Sequence, residues 1–216
     1  MSEITGTDIS GYRYADSGAN HSHKYLLQPT FATLDSFFGN NGRKRRVFDL
    51  GCGNGSVAAL LSENGYDVAG VDLSEEGIAQ ASVTYPNLRL ETGSAYENLA
   101  QRFGHFPAVI SLEVVEHVYA PRDYARTLYE LLEPGGLAVL STPYHGYWKN
   151  LVLALSGNMD AHFTALWDHG HIKFWSIKTL GTLLREVGFE QPTFQRVGRL
   201  PALAMSMIAV ARKPAD

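Results

Sequence analysis

Cysteine is nearly missing. Cys52 is the only one in 216 residues, so no internal disulfide braces the chain, and a reducing compartment is expected. Long apolar runs are missing too. The nearest, "LVLAL" at 151–155, falls far short of the roughly 20 residues a membrane-spanning helix needs. Neither sign of charge dominates: 22 acidic against 18 basic side chains leave a net charge of −4, and no global field attracts nucleic acid. The one basic cluster, "GRKRR" at 42–46, immediately precedes an apolar strand and reads as a solvated loop. The opening "MSEITGTDISGYRYADSG" lacks the apolar centre of a signal peptide, so the expected location is cytoplasmic. Repeats and low-complexity tracts are absent as well.

What the chain has is alternation. "RVFDL" (46–50), "DVAGV" (67–71), "LRLE" (88–91), "AVISL" (108–112) and "LAVLS" (137–141) are short β-type runs. Helical patterns separate them: "SVAALLSEN" (56–64), "SEEGIAQASVTY" (74–85) and "PRDYARTLYELLE" (121–133). Strands alternating with helices predict βαβ units, a doubly wound α/β fold and a mostly parallel sheet covered on both faces. "NG" at 64–65 and "EPGG" at 133–136 are placed to end helices just before strands.

The length suits one domain with appendages. Residues 1–40 form an N-terminal cap ending in a helix, 45–142 a ligand-binding core, and 143–175 an aromatic- and histidine-rich insertion. Residues 176–216 add a helix and two strand-like runs. Appendages at the carboxyl edge of an α/β sheet commonly build a substrate pocket, so 143–175 is expected to cover one.

"FDLGCGNG" (48–55) follows a strand and opens a helix. Gly51, Gly53 and Gly55 permit a tight turn and close approach of backbone to a ligand. Their spacing is G-x-G-x-G, and Ser56 stands where a dinucleotide motif would place its third glycine, which disfavours a nicotinamide dehydrogenase. Asp49 ends the first strand. Asp72 ends the second, about 20 residues past the loop, where a carboxylate can accept both hydroxyls of a ribose.

Taken in order, "VFDLGCGNG", "VAGVDLS", "NLRLETGSA", "VISLEVVEHV" and "LLEPGGLAVLSTP" resemble the successive motifs of class I S-adenosylmethionine-dependent methyltransferases, over residues 45–142. The resemblance implies a seven-stranded Rossmann-like sheet with its last strand antiparallel, and S-adenosylmethionine bound above the first strands. Carried over by position, Gly51, Gly53 and Gly55 line the methionine part, and Asp49 orients the loop or the amino group. Asp72, followed by Leu73, holds the ribose. Ser94 and Ala95 flank adenine, with serine where many relatives have aspartate. Leu112 and Glu113 face the sulfonium and its methyl group.

"EVVEHV" at 113–118 places two carboxylates and an imidazole within an apolar run. On a helix, Glu113, Glu116 and His117 would share one face, as metal ligands, catalytic groups or an ordinary charged helix start. Together with "DHGHIKFWS", the stretch is similar to the O-methyltransferases of ubiquinone biosynthesis, which methylate catechol-like rings on polyprenyl chains. Small-RNA 3′-terminal 2′-O-methyltransferases share E-x-x-E-H and use it, with a downstream histidine, to bind a divalent metal. The resemblance therefore implies Glu113, Glu116, His117 and His171 as ligands for Mg²⁺, Mn²⁺ or Zn²⁺, with His169 as substitute. Without a metal, His117, His145 or His171 can serve as general base.

The expected activity is S-adenosylmethionine-dependent methyl transfer to a hydroxyl of a small aromatic or lipophilic metabolite. "GYWKNLVLALSG" reads as an amphipathic helix, a pocket lid or, through 147–157, a peripheral membrane contact like that of the quinone-pathway relatives. An RNA 2′-O-methyltransferase would use the same metal logic, but the acidic chain lacks the basic surface that phosphates require. A non-catalytic S-adenosylmethionine-binding module would share the cofactor motifs. His21 and His23 are candidates to close over the cofactor. Neither the methyl acceptor nor the oligomeric state is encoded in these motifs.

Overall fold

The computed structural model describes residues 23–39, 42, 44–167 and 170–215. His21 and His169 lie outside these residues, as do most of the N-terminal cap and the side chain of His23. In chain order the elements are α1 (His23–Phe38), β1 (Arg46–Leu50), α2 (Ser56–Glu63), β2 (Asp67–Asp72), α3 (Glu75–Thr84), β3 (Arg89–Thr92), α4 (Leu99–Phe103) and β4 (Phe106–Leu112). They continue with α5 (Pro121–Glu130), β5 (Leu132–Pro143), α6 (Tyr147–Leu155), α7 (Met159–Phe163), α8 (Ile177–Glu186), β6 (Thr193–Val197), a 3₁₀ turn (Pro201–Leu203) and β7 (Ser206–Arg212). No helix among the described residues is long and apolar enough to cross a membrane.

The strands form one seven-stranded sheet in the order β3-β2-β1-β4-β5-β7-β6. β1 to β5 are parallel neighbours, and β7 runs antiparallel to both β5 and β6. Alternate side chains of a strand face opposite sides, and here both sides are covered, which is why the strands read as unbroken apolar runs. In β1, Phe48 and Leu50 join a core with α5 and α8 through Tyr124, Leu128, Leu180 and Leu184. Val47 joins the opposite core, with Leu26 and Leu34 of α1 and Val57 and Leu61 of α2. β5 and β7 divide likewise, Leu140 and Met207 to the first core, Val139 and Ile208 to the second.

The helix before β5 ends earlier than in the sequence reading, and β5 begins earlier. α5 ends at Glu130, so Leu131 to Glu133 are not helical. Leu132 already pairs with Phe106, and "EPGG" bulges out before pairing resumes at Ala108 with Leu137. Pro134 lacks the N–H a ladder needs, so a bulge is where a strand can hold it.

All five parallel strands point their carboxyl ends to one edge. The loops after β1, β2, β3 and β4 meet there, joined by the 143–175 segment and the β6–β7 turn.

Candidate functional site

Two glycines of the first loop have no substitute. Gly51 has φ 91°, and a Cβ there would lie 2.4 Å from Val114 Cγ2. Gly55 opens α2 at φ 77°, where a Cβ would meet Leu90 Cδ1 at 2.7 Å. The Gly51 and Cys52 N–H groups both donate to the Val71 carbonyl, at 2.8 and 3.0 Å, which folds the loop across the end of β2. Asp72 completes the closure: its carboxylate accepts from the Gly53 N–H and the Ser74 N–H, each at 2.8 Å. Burial raises its pKa; the Ser74, Gly53 and Leu73 N–H groups and the field of His117 pull it back.

Asp49 is the unbalanced member. It is 2% exposed, and its Oδ2 has no hydrogen-bond partner among the described residues. Burial, with the repulsion of Asp72 second, pushes its carboxyl up to about 7. A buried carboxylate oxygen without a donor fits the ammonium of an amino acid cofactor. Asp72 also fits a ribose diol, since a carboxylate has about four acceptor sites and the two backbone bonds leave others open.

After β3, the Ser94 N–H donates to Glu97 Oε1 at 3.0 Å, and the Ser94 hydroxyl accepts from the Tyr96 N–H at 3.2 Å. Local turn bonds thus occupy the serine. Leu73 and Tyr96 stay exposed, offering apolar surface where an adenine is expected. Ala95 packs against the core. Tyr96 escaped the sequence reading, as an aromatic one residue past the motif carries no signal of its own.

"EVVEHV" is not a helix. Leu112 closes β4 and the chain then turns, with the His117 N–H donating to the Val114 carbonyl at 2.9 Å. Glu113 adopts φ 56°, a left-handed conformation that is unusual for a residue with a side chain. Its N–H donates to Ser141 Oγ at 3.0 Å, and its carboxylate accepts from Ser141 Oγ at 2.8 Å and Ser206 Oγ at 3.5 Å. Tyr25 of α1 joins this network, its hydroxyl 3.3 Å from Ser206 Oγ.

The turn brings three of the four expected ligands together and separates the fourth. Ligand atoms of Glu116, His117 and His171 lie within 4.8 Å of one another; Glu113 is not part of that cluster. The reason is the left-handed turn, which gives Glu113 to the serines of β5 and β7. Glu116 is 1% exposed, and its carboxylate makes no hydrogen bond of normal geometry among the described residues, although the buried Thr142 hydroxyl beside it favours its charge. Burial first, and Glu113 second, raise its pKa well above the carboxylate range. A buried carboxylate beside two imidazoles fits a divalent cation.

The return of the 143–175 segment holds the cluster in place. The Ile172 and Lys173 N–H groups both donate to the Glu116 carbonyl at 2.9 Å, and Trp175 Nε1 donates to the Val115 carbonyl at 3.0 Å. His117 Nδ1 lies 3.2 Å from the Gly170 carbonyl, and the His117 and His171 rings are 4.9 Å apart. Burial, then the neighbouring His117, pushes His171 down to about 4.

His145 occupies a separate aromatic box. Its ring stacks on Phe163 at 5.8 Å and meets Phe174 edge-on at 5.1 Å. Its Nδ1 is buried without a partner among the described residues. Burial first, then the nearby Lys149, lower it to about 4, so at neutral pH it is an uncharged imidazole and a weak base.

The model of a family described as a methyltransferase domain matches residues 21–191. The chain belongs to that family. A ubiquinone biosynthesis O-methyltransferase of Ruegeria pomeroyi is 31% identical over 148 residues, 67% of this chain and 60% of that protein. This methyltransferase-family chain thus matches less than two thirds of that relative's length. The protein of the same name from Pseudomonas aeruginosa strain UCBPP-PA14 is 28% identical over 197 residues, 87% of this chain and 82% of the other. Among solved structures, the methyltransferase domain of bacterial CtHen1-CN superposes with a TM-score of 0.66 at 21% identity, covering 89% of this chain and all of that one, a likeness of fold.

Proposed function

We propose that this chain moves the methyl group of S-adenosylmethionine to a hydroxyl of a hydroxylated aromatic acceptor, with Glu116, His117 and His171 as ligands of a divalent cation. One observation carries the reading: the glycine loop and the turn that bears Glu116 and His117 touch at one sheet edge, Val114 filling the space a Cβ on Gly51 would need. S-adenosylmethionine supplies an activated methyl group, so the protein has only to place the acceptor and remove its proton. A bound divalent cation there supplies Lewis acidity, which makes vicinal acceptor hydroxyls more acidic.

The chain's own groups do the rest. Asp49 and Asp72 hold the amino group and ribose, and Gly51, Gly53 and Gly55 let the backbone come close. Phe163 and Phe174 form an aromatic wall beside His145, whose uncharged imidazole can accept a hydrogen bond from an acceptor hydroxyl. The 143–175 segment forms one side of this space. A lipophilic acceptor is supported by the exposed apolar side chains at the same edge. Tyr147, Trp148, Val152 and Leu155 of α6 are exposed, as are Leu203 of the 3₁₀ turn that α6 touches and Leu200 just before it, the surface a peripheral membrane contact would use.

Tritiated S-adenosylmethionine offered with catechols, polyprenyl phenols and short RNAs tests the proposal. Label should pass to a catechol or phenol, stop in excess chelator, and return with added Mg²⁺, Mn²⁺ or Zn²⁺. Transfer to RNA alone, or cofactor binding with no transfer to any acceptor, would overturn it.

A further inference from the structure

A groove of about 1010 Å³ lies between α1 and the β6–β7 hairpin. No residue of the glycine loop lines it, and neither do Glu116, His117 and His171. The spacing along α1 opens it. Tyr25, Gln28, Ala32 and Ser36 fall three or four residues apart and share one helix face, while Leu26, Leu34 and Phe38 turn the other way into the core. Thr193 and Gln195 of β6 lie across from Val210 and Ile208 of β7. Ile208 packs in the same core as Leu26, so Thr193 and Gln195 point to the α1 side of the sheet, where both stay exposed and form the floor. The groove is long. Tyr25 marks one end, its hydroxyl 3.3 Å from Ser206 Oγ, and Arg212 the other, its guanidinium 5.2 Å from the Phe37 ring centre. Tyr25 to Phe37 spans about 18 Å along the helix, and Ser206 to Arg212 about 20 Å along the strand.

Its ends are cationic, and nothing between them is anionic. Arg212 stands at the Phe37 end. Arg199, two residues past Val197 and its partner Ser206, stands at the other. Both are exposed, and neither makes an ion pair among the described residues. Arg196 also borders the groove, but its guanidinium donates to the Pro201 carbonyl at 3.2 Å. No aspartate or glutamate lines the space, although the chain carries 22 acids against 18 bases. Asp35, the only acid of α1, is paired with Arg45.

We propose that this groove is a second binding site, for an elongated soluble molecule with a phosphate at each end, one held by Arg199 and the other by Arg212. A guanidinium presents a planar fork that matches phosphate oxygens. An exposed cation gains little from a single carboxylate, because water and salt compete. A phosphate brings close to two charges and three acceptor oxygens, enough to hold in an open groove. Between the ends, Gln28, Ser36, Thr193 and Gln195 offer neutral donors and acceptors to the body of the ligand. The volume lies at the upper end of small-molecule sites, roughly 300–1,000 Å³. The site does not depend on the proposed function, since it shares no residue with the methyl-transfer edge.

The experiment titrates the whole chain, with excess S-adenosylhomocysteine present, by calorimetry. The probes are fructose 1,6-bisphosphate and the bisphosphates of straight-chain diols from hexanediol to dodecanediol, each beside its monophosphate. The best bisphosphate should bind about tenfold or more tightly than its monophosphate. Arg199→Gln and Arg212→Gln should each remove about that tenfold, and the double variant should bind more weakly still. Gln195→Glu, which sets a carboxylate in the floor, should weaken binding too. Arg185→Gln, exposed on α8 and equally without an ion pair, should change nothing. Equal affinity for mono- and bisphosphates, loss in only one of the two groove arginine variants, or an equal loss in Arg185→Gln would overturn the proposal. So would displacement of the probe by S-adenosylhomocysteine. Binding to phosphatidylglycerol vesicles that Arg199→Gln and Arg212→Gln abolish, with no bisphosphate bound, would assign the arginines to a membrane surface and also overturn it.

Discussion

Asparagine in place of Asp49 should make the cofactor-free chain more stable at neutral pH and less able to take up S-adenosylmethionine. Burial beside Asp72 moves the Asp49 carboxyl from 3.8 up to about 7. A carboxyl raised by folding keeps its proton longer in the folded state, so stability falls as the pH rises. The loss begins near the unfolded value and is complete once the folded group also ionises. At about 1.36 kcal/mol for each unit, a gap of roughly three units amounts to about 4 kcal/mol at pH 7. Asparagine removes that cost but leaves a buried amide short of a partner, worth about 1–3 kcal/mol in the other direction. The balance, about 1–3 kcal/mol, corresponds to a rise in Tm of about 2–10 °C for a chain of this size. Thermal unfolding of both proteins from pH 5 to 8 should show the asparagine curve pulling away upward as the pH increases. S-adenosylmethionine should raise the Tm of the unaltered chain more at pH 8 than at pH 6, because an ionised carboxylate must meet its ammonium, and should barely move the variant. A gap between the curves that fails to widen with pH would refute the burial argument. An undiminished cofactor shift would refute the assignment.

Asp72→Ala should abolish most of the Tm rise produced by S-adenosylmethionine or S-adenosylhomocysteine, because the ribose loses its acceptor and the Gly53 and Ser74 N–H groups lose theirs. Gly51→Ala should destabilise the chain by about 1–3 kcal/mol in denaturant titration, since its Cβ collides with Val114; adding Val114→Ala should recover part of the loss. Chelator should lower the Tm of the cation-loaded chain, because an ion held only by the folded state stabilises it by mass action, and should have little effect on Glu116→Gln.

The sheet was legible in the sequence because parallel strands buried on both faces need no alternation. A plain apolar run such as "AVISL" is itself the signal. The glycine loop and Asp72 were legible for a similar reason, since a tight βα turn writes its needs into adjacent residues. "EVVEHV" was harder. Its spacing suggested a helix face, and the structure makes a turn, because the bonds that decide it come from Ser141 and Ser206, 28 and 93 residues away from Glu113. Nothing local announces those serines, nor Tyr25, whose part depends on where α1 packs. The five-residue helices α4 and α7 escaped because one turn and a half carries too little periodicity to read.

The way the 143–175 segment is fastened makes it an exchangeable cassette. Its two ends are tied to each other, His145 N–H to the Trp175 carbonyl at 3.0 Å, and each end is tied separately to the frame, Tyr144 to Met205 and Ile172 to Glu116. The span between leaves and re-enters the frame at nearly one point, as an Ω-loop does. Its length is then nearly free: doubling a flexible loop adds only about 0.6 kcal/mol of closure cost. Residues 147–167 could be replaced by a longer or shorter sequence while His171 stays where the Glu116 carbonyl holds its neighbours. Under the proposed function, acceptor preference would thereby become separable from methyl transfer, and a lineage, or an engineer, could exchange this span without disturbing the sheet edge it leaves.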